Sequence, residues 1–131
     1  MNKTKLINWL HILLPLLAGV LIYVLFRVPV TRLHTLLGIK HRWMELPPFW
    51  GRYWILYHFT DMCWAYSLTF TLAFLGKNKA WEAAAICTFL LSFIEFAQGN
   101  YEIGLIDLGD LIYMVVSAFL AFLVLKKRGV Q

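Results

Sequence analysis

Three pairs of polar side chains recur at a spacing of three residues in an otherwise apolar chain: His58 with Asp61, Glu95 with Gln98, and Asp107 with Asp110. Residues three apart share one face of a helix, so each pair can present both of its groups to one cavity. Acids beside lipid are costly, and those that persist in apolar segments usually face a bundle interior and do something there. Three kinds of chemistry suit this set. A polar pocket flanked by the basic residues Arg42 and Arg52 would attract an anionic lipid or glycolipid head group. A carboxylate buried beside like charges would work as a general acid or base. Oxygens from Asp61, Glu95, Asp107 and Asp110 together would suit a hard divalent cation.

Each group also has a plainer use. Glu95, Gln98 and Asp107 lie near helix ends and can reach interfacial water, and Asp107 in a first helical turn complements the macrodipole. Asp61 and Asp110 lie deeper, where an ion pair with Arg52 or another first-loop arginine would satisfy them. His58 taken alone reads as an interfacial histidine. Zinc spacing, a Gly-rich phosphate loop and a nucleophile elbow do not occur, and the reading adopted assigns no metal and no cofactor.

The elements that must position these groups are membrane-length helices. Of 131 residues, 61% are hydrophobic and 17% aromatic, and the mean hydropathy is +0.69. A soluble domain of this size has no core large enough to hide so much apolar surface. The chain reads as one all-α domain over residues 1–131, a four-helix transmembrane bundle with spans at about 6–26, 54–75, 80–97 and 103–125. Pro15 lies inside the first span, with Ala18 and Gly19 just after it for close packing. The first loop carries Arg27, Arg32, Lys40, Arg42 and Arg52, a stretch from Leu33 to Trp43 with the spacing of a surface helix, and Phe49, Trp50, Tyr53 and Trp54 as an interfacial anchor. Gly99-Asn100 is expected to turn the chain between the last two spans.

Four spans put both termini on one side, with Lys3, Lys5, Lys77, Lys79, Lys126, Lys127 and Arg128 beside short helix ends. Positive charge concentrated there predicts a multi-pass membrane protein with cytoplasmic termini. The basic residues sit in loops and tails, so the net charge of +5 does not signal nucleic-acid binding. Cys63 and Cys87 fall inside apolar helices and are expected to be buried free thiols. In this topology Asp61 lies ~10 Å inside the outer end of its helix. Glu95 and Gln98 fall in a last turn, and Asp107 and Asp110 one and two turns below an outer end. Three helices thus deliver acids to one outer level.

Glu95-x-x-Gln98 closing one helix, and Asp110 opening the next with Ser117, Ala118 and Ala121 leading to a basic end, resemble the VanZ-like family of small bacterial membrane proteins, as a distant member or a sister family. The similarity covers about the last 50 residues and the four-span layout. The chain departs from that pattern in having no Arg between Gln98 and Asp107, Met114 in place of an Asn and Ser117 in place of a Gly. In the second span His58, Asp61 and Tyr66 only loosely match the family's Asp-Lys and His pattern. The resemblance implies a bacterial inner-membrane protein linked to glycopeptide or lipoglycopeptide susceptibility.

The function expected is recognition or handling of a lipid or lipid-linked glycan at an outer-leaflet pocket. Asp61, Glu95, Gln98, Asp107, Asp110 and His58 would line it, with Arg42 and Arg52 as anion contacts. An interaction subunit binding a partner membrane protein is the alternative, and an intramembrane acid–base enzyme the third.

Overall fold

The computed structural model describes residues 3–26, 38, 44–45, 47–101 and 108–130, with backbone alone for residues 3, 4 and 98–101. Among these residues all regular structure is helical. Helix α1 is Lys3–Phe26. A single α-turn at Arg52–Trp54 and a π-turn at Ile55–Phe59 lead without a break into α2, Thr60–Phe74. Helix α3 is Ala80–Tyr101 and α4 is Leu108–Lys127. Apart from Gly38, the stretch 33–43 expected as an amphipathic helix lies outside the described residues, as do Arg42 and Asp107.

Three helices, α1, α3 and α4, are long and apolar enough to cross a membrane. The segment expected as the second span differs: α2 has 15 residues of its own, short of the ~20 a crossing needs, and reaches further only by way of the π-turn. A second difference is at Gly99-Asn100. The chain does not turn there, because α3 continues to Tyr101.

Helix α2 is the axis of the fold. Helices α1, α3 and α4 each pack on it and α3 also packs on α4, whereas α1 has no comparable contact with either. That placement follows from composition. α2 carries Thr60, Ser67, Thr69 and Thr71, all in protein surroundings: Thr60, Ser67 and Thr69 are buried, and each hydroxyl donates to a backbone carbonyl. Since lipid offers no driving force for burying Leu, small and hydroxylated faces decide which surfaces meet. Leucines of α1 and phenylalanines of α3 instead face outward, Leu14 and Phe89 among them.

One small side chain ties each neighbour to α2. Ser67 Oγ donates to Ile12 O on α1 at 2.6 Å. Ser117 Oγ of α4 donates to Met62 O at 2.6 Å, and Cys87 Sγ of α3 to Ala65 O at 3.4 Å. Pro15 has no N–H for the carbonyl four residues before it and loosens that turn of α1, beside the carbonyl that Ser67 uses. At Gly19 the helices touch: a Cβ there would lie 2.5 Å from Trp64 Nε1 and 3.2 Å from Cys63 Cβ. Both cysteines are free and buried.

The α2–α3 turn has its own local chemistry. Lys77 takes a left-handed conformation, φ 55°, and Asn78 Nδ2 donates to Leu72 O at 2.9 Å, capping the end of α2. Glu82 then accepts the Lys79 N–H at 3.0 Å, half of a capping box for α3.

Candidate functional site: a histidine–aspartate pair at the rim

The π-turn sets the site. Its wider coil brings side chains five apart toward one face, and Tyr53 meets the edge of His58 at 5.7 Å between ring centres. The loosened backbone is repaired from below by Thr60, whose Oγ1 donates to Tyr57 O at 2.7 Å. Such turns cluster at functional positions because they re-aim a side chain that a regular helix would leave elsewhere.

Here the re-aimed side chain is His58. Its Nδ1 lies 2.7 Å from Asp110 Oδ1 on α4, and its ring stacks on Tyr113 at 4.6 Å and 28°. Tyr113 follows Asp110 by three residues, so one face of α4 supplies both contacts. Trp54 meets Tyr113 edge-on at 5.9 Å, which extends the aromatic wall outward. The His58 and Asp110 side chains are 14% and 19% exposed: shielded enough for the pair to be strong, open enough to be reached. Opposite an ionised carboxylate, which can only accept, a neutral imidazole would carry its proton on Nδ1 and leave Nε2 as an acceptor.

The residues expected at this site fall into three groups. His58 and Asp110 are brought together. Asp61 and Glu95 are part-buried on α2 and α3 and each has an interaction of its own. Arg52 opens the helical segment that leads to the π-turn. Gln98 lies on α3 with its side chain undescribed, and Asp107 and Arg42 are outside the described residues. Among the described residues no three His, Cys, Asp or Glu side chains gather as they would around a metal ion. The aromatic anchor is exposed as expected, Trp50 completely so.

A second histidine was not among the expected site residues. His11 of α1 accepts from or donates to the Tyr66 hydroxyl through Nδ1 at 3.0 Å, and stacks on Phe70 at 4.5 Å and 12°. An ionisable residue inside a 24-residue apolar helix was itself a signal for this place. His11 and Tyr66 line a groove of about 600 Å³ that opens between α1 and α4 across α2. No sequence pattern announces the groove, because it exists only as the gap that α1 and α4 leave in packing on α2. Compared with family models, with curated proteins and with solved structures, the chain matches none.

Proposed function

We propose that this chain is a four-span inner-membrane protein whose outer rim recognises a lipid or lipid-linked head group. In this reading the helical run from Arg52 to Phe74 is the fourth crossing, with the π-turn near its outer end and both termini in the cytoplasm. The observation that carries it is the 2.7 Å His58–Asp110 pair, part-open between Tyr53 and Tyr113. An imidazole with a fixed acceptor nitrogen and flanking aromatic faces suits a hydroxyl-rich or glycosidic head group, with Arg52 near for an anionic part. Asp61, Glu95 and Gln98 would line the deeper wall. The VanZ-like resemblance agrees with an envelope role of this kind.

The test is native mass spectrometry of the full chain, gently extracted, beside Asp110→Asn and His58→Gln. Bound envelope lipid in the parent, lost in both variants while helical circular dichroism is unchanged, is the expected result. Equal lipid in all three would remove the proposal. A second polypeptide retained in its place would favour an interaction subunit.

One feature favours an enzymatic reading as the second choice. A carboxylate on Nδ1 orients an imidazole as a general base acting through Nε2. That reading requires turnover of an added lipid-linked substrate that His58→Gln abolishes.

A further inference from the structure

The groove between α1 and α4 has a length, a lining and a charge that together identify an occupant. On α1 it runs from Ile7 to Ala18, ~16 Å at 1.5 Å per residue. On the α2 side its lining reaches up to Phe59, next to His58, so the groove extends past the middle of the bundle. A partner transmembrane helix would need a seam along the whole of α1, whereas an acyl chain needs only this stretch. The volume of about 600 Å³ lies within the ~300–1,000 Å³ of small-ligand sites.

The lining presents carbon. Its polar groups are already engaged: Ser117 with Met62 O at 2.6 Å, and Tyr66 with His11 at 3.0 Å. Leu10, Leu14, Phe59, Met62 and Leu120 supply most of the remaining wall. Of the lining side chains, His11 keeps its Nε2 and Cys63 its thiol, and neither carries a fixed charge, so selection by charge must occur at the end of the groove.

That end is cationic. α1 runs antiparallel to α2 and α4 parallel to it, since Trp9 meets Phe74 and Leu125 packs with Ile12. The shallow end of the groove therefore lies level with the C-terminus of α4. There Arg128 follows Lys126 and Lys127, and it lies between Leu125 and Val130, which both pack in the cluster that holds Ile12 of α1. Arg128 Nη1 is buried and has no hydrogen-bond partner. A guanidinium nitrogen buried without an acceptor is costly, so a phosphate beside Arg128 that drew the group outward would relieve that cost and would match its geometry and charge.

We infer that an anionic phospholipid of the leaflet on the Lys126–Arg128 side seats one acyl chain in the α1–α4 groove, with its phosphate on Arg128. The phosphate end of this site lies at the opposite end of the bundle from His58–Asp110, although the groove reaches Phe59 beside that pair, and the proposal does not depend on that pair's function.

The experiment uses the full chain in nanodiscs of phosphatidylglycerol mixed with phosphatidylcholine, followed by native mass spectrometry of lipid retained on release. The parent should hold one phosphatidylglycerol per chain, preferred at least about fivefold over phosphatidylcholine. Arg128→Gln should erase the preference, while Lys127→Gln, an exposed cation at the same end, should preserve it. Leu120→Trp, at a groove position 45% exposed where added bulk strains no core, should lower retention of both lipids by threefold or more. Retention indifferent to head group, an equal loss with Lys127→Gln, undiminished lipid in Leu120→Trp, or a second copy of the chain in place of lipid would each overturn the assignment. Helical circular dichroism on the same samples separates lost binding from lost fold. If Arg128→Gln does not fold, Leu120→Trp and the head-group preference of the parent still decide the matter.

Discussion

Helix α2 meets α1 and α4 through two seams built on one plan. Each has a serine donating to a backbone carbonyl at 2.6 Å. Each has a histidine stacked on an aromatic ring, His11 on Phe70 and His58 on Tyr113. Each histidine is engaged through Nδ1, and only the partner differs. Tyr66 is a neutral phenol that both donates and accepts, so the proton on His11 is free to sit on either nitrogen. A carboxylate at Asp110 only accepts, so a neutral His58 opposite it would be held in one tautomer. In a medium that penalises charge, the neutral pair belongs in the interior wall and the ionisable pair at the rim. A polar group inside a membrane protein is thus better judged by its partner than by its presence.

The comparison can be broken most severely at the α1 seam. Gly19→Val would drive a side chain into Trp64, where even a Cβ sits at 2.5 Å. We expect a loss of about 3 kcal/mol, at the upper end for overpacking, in reversible unfolding by SDS. The His58 imidazole resonances should be unmoved, because the α4 seam is separate. A stability equal to the parent's would show that α1 does not pack as described.

The next effect distinguishes the two histidines directly. Removing the carboxylate with Asp110→Asn should cost about 2 kcal/mol, as for a hydrogen bond to a charged group. Nitrogen-15 spectra of His58 should lose their bias toward the Nδ1–H form. A double-mutant cycle with His58→Gln should recover most of that energy as coupling, and additive losses would contradict the pairing. Tyr66→Phe on the other seam should cost about half as much, ~1 kcal/mol for a neutral hydrogen bond, and leave the His58 spectrum unchanged.

The smallest effect tests the feature the seams share. Ser67→Ala and Ser117→Ala should each cost about 0.6 kcal/mol, the average for interhelical hydrogen bonds in a bilayer, and the two losses should agree within error. A several-fold difference would mean that the seams are not equivalent even in their structural bonds.

Much of this molecule was legible from its residues. Composition and apolar run length determine an all-helical, membrane-type chain, since helices satisfy every backbone group without water. Gly19 announced a close crossing because no other residue lets backbones approach so nearly. The turn chemistry at Lys79 and Glu82 is equally local. Spacing also named His58 and Asp110 as site residues, each from its own i,i+3 pair.

Their meeting was another matter. The i,i+3 rule places residues on a regular helix, and the π-turn at Ile55–Phe59 departs from that rule beside His58. Such a turn forms where tertiary contacts favour it, with Thr60 repairing the backbone, and leaves no periodic mark. The His11–Tyr66 bond joins residues 55 apart, and the groove beside it is a gap left between two helices that pack on a common third. Local physics decides which backbone each segment adopts, because those hydrogen bonds lie within the segment. Which side chains become partners, and where a space remains, depends on how the helices dock, and only the assembled bundle contains that information.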